Sequence, residues 1–173
     1  LVEETNSPTR ERLRTELEKK LPGMRWCVYE PRLGQEANVA MQTAFGSNAR
    51  VLPKLDRADV ILALDSDFLD CGQGDLETVR GFTSRRRVSA SKDSMNRLYV
   101  VENRFTLTGA MADHRLRCPA SQIAALTFAL AGKILAGTND GALQSVVGSV
   151  QPSIGSNGGT FDEQWITGAA NDL

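Results

Sequence analysis

Asp59-Val60-Ile61-Leu62-Ala63-Leu64-Asp65 is an apolar run closed at each end by a carboxylate. Apolar residues in unbroken succession are what a parallel strand covered on both faces presents. Arg97-Leu98-Tyr99-Val100-Val101-Glu102 has the same character, and a short further strand is predicted over 116–118. Met24 to Tyr29 is predicted as another strand, because Trp26, Cys27, Val28 and Tyr29 favour a pleated surface. That reading places Cys27 in the core, and 50–52 is read as a short strand.

Helical patterns lie between these runs. Ser7-Pro8 is a start signal, with Ser as N-cap and Pro at the first helical position. Leu13, Leu17 and Leu21 follow as one apolar stripe, and Pro22-Gly23 stops it. A helix over 34–45 would turn Ala37, Ala40, Met41 and Ala44 inward, with Gly46 as its C-cap. Asp75 can cap a helix reaching about Arg87, where three arginines suit the C-terminal end of the dipole. Ser121 caps a helix with Ile123, Leu126, Leu130 and Ile134 in a stripe, ended by Gly137. Strand and helix thus alternate at least three times. The pattern predicts an α/β fold: a Rossmann-like, doubly wound, mostly parallel sheet with helices on both faces. This domain covers 1–137. Residues 138–173 are richer in Gly, Ser and Asn, and are read as an arm or linker toward a following domain, with Pro152 to Gly159 the extreme. Leu1-Val2 reads as the end of a strand, which points to a piece of a longer protein.

Composition narrows the function. The 173 residues are 41% hydrophobic, so a wholly disordered chain is excluded. The net charge of −1 excludes a generally basic nucleic-acid binder. Charge is uneven: 10 Lys/Arg meet 14 Asp/Glu over 1–79, 9 meet 3 over 80–117, and 1 meets 4 over 118–173. The basic middle segment is expected to disperse over a solvated surface, since no aromatic residues interleave with its arginines. The longest apolar stretch, 123–136, holds Lys133 and is too short to span a membrane. Cys27, Cys71, Cys118 and the single histidine, His114, give no metal-ligand spacing, and Cys71 falls in a loop.

In open α/β sheets, ligands sit beyond the C-terminal ends of the strands. Two such ends are polar: Asp65-Ser66-Asp67 and Glu102-Asn103-Arg104. Asp-x-Asp after an apolar strand is similar to the haloacid-dehalogenase-like phosphatases, which use two aspartates and magnesium. Here Phe68 departs from the usual Thr or Val, and Lys92 is the one candidate for the expected lysine. Asp65 and Asp67 also read as caps of the following loop. Gly72-Gln73-Gly74 lacks the third glycine of a nucleotide fingerprint and reads as a plain loop. Asp113 and His114 could pair to handle a proton, although a structural hydrogen bond by His114 is the expectation.

Leu98 to Leu116 carries a more specific pattern. Thr106, Thr108, Ala112 and Asp113 follow a strand ending in Arg104, and Ala58-Asp59-Val60 opens the earlier strand. The stretch resembles the nucleotide-type domain of the dimethyl-sulfoxide-reductase superfamily, the bis-pterin molybdenum enzymes. In active members the earlier strand runs into Gly-x-Asn, which approaches the cofactor's guanine dinucleotide; here it is Asp65-Ser66-Asp67. The later strand end, Asp-Pro-Arg in that superfamily, is Glu102-Asn103-Arg104. A cofactor-binding role is therefore not carried over. These positions, with Thr106 and His114, are the candidates for a degenerate pocket. No catalytic or metal-ligating residue is assigned.

Tyr29-Glu30-Pro31, Asp65 to Leu69, Met95 to Glu102 and Leu107 to Arg115 further resemble the iron–sulfur subunit of alternative complex III. The resemblance implies a molybdopterin-oxidoreductase-like domain without molybdopterin, in a respiratory oxidoreductase whose iron–sulfur clusters lie elsewhere in the parent protein. It implies quinol oxidation by the whole complex and partners among its other subunits, at the periplasmic face of a bacterial inner membrane. No nucleic acid and no direct membrane span are expected. Two other functions follow from the same residues: part of an active molybdenum or tungsten bis-pterin oxidoreductase, or a stand-alone magnesium-dependent phosphatase or nucleotide binder.

Overall fold

The computed structural model describes residues 1–2, 7–29, 36–47, 51–70, 76–91, 93–138, 140–150 and 161–173. Expectations at Glu30-Pro31, Gly34, the Ala37 side chain, Arg50, the Cys71–Asp75 loop, Lys92 and Pro152–Gly159 lie outside them. The chain divides into two compact units, Leu1–Val51 and Leu52–Leu173.

The first unit holds α1 (Pro8–Lys20) and α2 (Glu36–Phe45). Ser7 caps α1 as read, its hydroxyl accepting from the Arg10 N–H at 3.4 Å. Gly46 follows α2 with φ of 68°, a left-handed conformation that glycine takes without steric cost. The strand expected over 24–29 is reduced to one parallel bridge, Val2 to Val28. None of the described residues of this unit is buried. Leu13, Leu17 and Leu21 are 48%, 39% and 54% exposed. Cys27, read as core, is exposed. Ala40 and Ala44 are exposed and Met41 is half-buried. Periodicity marks the face a helix would pack with; it does not supply the covering surface, and about fifty residues enclose little core.

The second unit is an α/β domain. A 3₁₀ turn (Leu55–Arg57) leads to β1 (Val60–Leu64), α3 (Leu76–Ser84) and β2 (Arg97–Glu102). Then come α4 (Leu107–Ala110), β3 (His114–Arg117), α5 (Ala120–Ala136), α6 (Gly141–Val150) and α7 (Glu163–Asp172). The sheet is parallel with order β1-β2-β3, in the register Leu64 to Val101 and Glu102 to Arg117. The third strand begins two residues earlier than predicted, and Val51-Leu52 form no strand.

Alternation along the strands sends side chains to two covered faces. Ile61, Ala63, Leu98 and Val100 pack on Phe82 of α3. Tyr99 packs on Leu130 of α5 and on Ile166 and Ala169 of α7. Val101 meets Leu126 of α5 and Cys118. Leu98, Val100, Phe82 and Leu126 are fully buried, each worth about 2 kcal/mol of transfer free energy. Burial pushes the Cys118 thiol above its ordinary value.

Residues 138–173 are more than an arm. They form α6 and α7, and α7 is part of the core. Trp165, Ile166, Ala169 and Ala170 recur at helical spacing, and Asp162 caps the helix by accepting from the Gln164 and Trp165 N–H groups. Local Gly and Ser content outweighed that short period in the sequence reading. The helix after β3 starts at Ala120, so Pro119 rather than Ser121 is its cap.

α3 ends before the arginine run, which is tied to other elements. Arg85 pairs with Asp59, and Arg86 with Asp113, each at 2.5 Å. Arg97 pairs with Asp172 and Arg115 with Glu102. Four cations of the basic middle segment are thus matched by acids, two of them from outside that segment. Among the described residues no helix is long and apolar enough to cross a membrane.

Candidate functional site

Parallel register brings the C-terminal ends of β1 and β2 side by side, and the Asp65 N–H donates to the Val101 carbonyl at 2.8 Å. Beyond them opens a cavity of about 270 Å³ lined by Asp65, Ser66, Asp67, Glu102, Asn103, Arg104 and Thr106. The structure therefore brings together seven of the eight candidate residues. A second hollow of about 450 Å³ shares Asp67, Arg104 and Thr106 and runs on past Phe105, Leu107 and Ala110.

His114 is elsewhere. It opens β3, opposite Tyr99, and its ring stacks on the Tyr99 ring at 4.6 Å. It does not form the proton-handling pair with Asp113. The Asp113 carboxylate instead accepts from Arg86 and from the Leu98 N–H at 2.7 Å. Burial would raise the Asp113 carboxyl; Arg86 and that N–H outweigh it and hold the group below its ordinary range.

Two of the three cleft carboxylates are occupied by the domain itself. Asp67 Oδ1 accepts from the Thr108 hydroxyl at 2.7 Å and the Thr108 N–H at 3.0 Å. Thr108 Oγ1 in turn accepts from the Leu69 N–H at 3.1 Å, tying the loop after β1 to α4. Glu102 is 2% exposed. It accepts from the Thr106 hydroxyl at 2.6 Å and from Arg115 Nε at 2.5 Å. Burial would raise its carboxyl, but Thr106 and Arg115 more than offset this and keep it below the usual range. Thr106 also caps α4, accepting from the Gly109 N–H at 3.0 Å. Asp65 is exposed at the rim, with φ of 47°.

These residues do not fit a pterin dinucleotide. A polyphosphate needs N–H donors and cations at the strand ends. Here Asp65 and Asp67 face that space, and Arg104 is the one cation among the lining residues. Among the described residues no group of three His, Cys, Asp or Glu side chains could hold a metal ion.

Sequence reasoning gave no role to Gly109 or Arg115. A glycine inside a short helix that follows a strand-end Glu was the available signal for the first. The second shares a face with Arg117 on β3.

The fold and cleft define an α/β domain with a parallel sheet whose strand ends open on an acidic, internally hydrogen-bonded cleft. No family model matches this chain, and no curated protein matches it.

Proposed function

We propose that this chain is a cofactor-free structural domain of a membrane-associated, quinol-oxidising respiratory oxidoreductase subunit. In this reading it resembles the molybdopterin-oxidoreductase-like part of the iron–sulfur subunit of alternative complex III, at the periplasmic face. Its work is mechanical. It holds a shape against partner subunits and supports an iron–sulfur domain outside the 173 residues.

One observation carries the reading: two of the three strand-end carboxylates are spent on the domain's own bracing. Asp67 is taken by Thr108, and Glu102 by Thr106 and Arg115. A binding site keeps its polar groups directed at the ligand. The second Asp of a phosphatase Asp-x-Asp, the general acid, would likewise need its oxygen free, whereas Asp67 Oδ1 accepts from the Thr108 hydroxyl and N–H.

The test is the metal and pterin content of the full-length protein purified from its native membranes. Iron without molybdenum, tungsten or pterin is the expected result. Near-stoichiometric molybdenum or tungsten with pterin overturns the proposal.

A further inference from the structure

We infer that Phe105–Met111 is a docking knob for a partner protein offering an apolar socket with an acidic rim. The inference rests on the packing role proposed above and names the surface that packs. The α4 segment is inside out. Thr108 is fully buried and Gly109 is buried, whereas Phe105, Leu107 and Met111 are 70%, 59% and 49% exposed. The usual polarity of a surface helix is the reverse.

The bracing of the cleft causes the inversion. Asp67 draws Thr108 inward, Glu102 draws Thr106, and Gly109 lies flat against the Glu102 carboxylate. With the polar side pinned inward, Phe105, Leu107 and Met111 have nowhere to go but out. Adjacent exposed apolar side chains of this kind mark an interaction surface.

Charge around the knob selects the partner. Arg104 directly precedes Phe105, and the Arg115 guanidinium lies 4.8 Å from the Phe105 ring. Alternation along β3 puts Arg117 on the same face as Arg115. Glu102 matches Arg115, while Arg104 and Arg117 have no acidic partner among the described residues. Acidic side chains on the partner would complement these two cations. An anionic membrane is the poorer fit, because Asp65 and Asp67 line the same cleft as Arg104 and would repel a continuous sheet of anions. A protein can set single acids opposite Arg104 and Arg117 and leave Asp65 and Asp67 uncontacted.

The test places a photo-crosslinking amino acid at Leu107 of the full-length protein in its native cells, with Leu143 on α6 as the control position. The expected result is a crosslink from residue 107, absent from 143, that maps to an apolar segment of one partner chain with Asp or Glu beside it. Arg104→Glu with Arg117→Glu is expected to lower its yield about tenfold. Arg104→Gln with Arg117→Gln serves in its place if the reversal does not fold. A crosslink to lipid, to a second copy or to nothing overturns the inference, as does a yield indifferent to both charge variants. Metal and pterin are assayed in the same preparation. Molybdenum with an intact crosslink would sink the cofactor-free reading alone; iron alone with no crosslink would sink the knob alone.

Discussion

Gly109 and Glu102 occupy each other's space: a Cβ built on Gly109 would lie 1.9 Å from Glu102 Oε1 and 2.5 Å from its Cδ. The glycine is what lets a nearly buried carboxylate sit under α4 and still reach Thr106 and Arg115. Gly109→Ala must therefore either displace α4 or break the Glu102 hydrogen bonds. Overpacking plus a disturbed buried ion pair is expected to cost about 3 kcal/mol. Urea unfolding measures it. A loss below about 1 kcal/mol would mean that Glu102 moves aside freely.

The same carboxylate sets an acid limb of stability. The Glu102 and Asp113 carboxyls are both held below their ordinary range against the opposing effect of burial. Each therefore stabilises the fold fully above its unfolded value, near pH 4, and loses that contribution as pH falls through its lower folded value. Unfolding free energy is expected to hold level from neutral pH to about pH 5, then fall. Glu102→Gln should lower the neutral plateau and flatten the acid limb. A variant with an unchanged acid limb would show that Glu102 titrates alike folded and unfolded.

Asp65 holds a backbone conformation that an L-residue adopts at some cost, with φ of 47° directly after β1. Asp tolerates the left-handed region better than most, and Gly better still. Asp65→Gly also removes an exposed carboxylate beside Asp67. It is expected to leave stability unchanged or raise it by up to about 1 kcal/mol, whereas Asp65→Val should lower it by about 1–2 kcal/mol. Thermal melts of the two variants give the comparison; equal melting points would remove backbone strain from the account.

The paired apolar runs at 60–64 and 98–101 made the parallel sheet legible, because only a strand covered on both faces can afford no polar alternation. The positions of Asp65 to Asp67 and Glu102 to Arg104 followed from the same runs, since parallel strands end together. What the sequence hid was long-range bonding. Nothing local says that Asp113 belongs to Arg86, or that Glu102 belongs to Arg115. His114 misled as a pocket candidate because it opens β3 and stacks on Tyr99, away from the strand ends that line the cleft. Cys27 and the Leu13, Leu17, Leu21 stripe misled for a different reason: an apolar pattern shows what wants covering, and the described part of their own unit does not cover it.

α7 gives the sharpest test of how this domain is held together. Asp172 accepts from the Tyr99 hydroxyl and from Arg97 Nη1, so the last turn of α7 is clasped to β2. Tyr99 and Arg97 hold its carboxyl below the ordinary range. Asp172→Asn keeps an acceptor for both donors and removes the charge, whereas Arg97→Gln leaves a half-buried carboxylate without its cation. Amide exchange along α7 is expected to quicken several-fold in Arg97→Gln and less in Asp172→Asn. The β2 amides should stay unchanged in both, because Ile166 and Ala169 remain buried against Tyr99 and Leu130. Equal acceleration in α7 and β2 would show that helix and sheet open as one unit and that the clasp secures the whole fold.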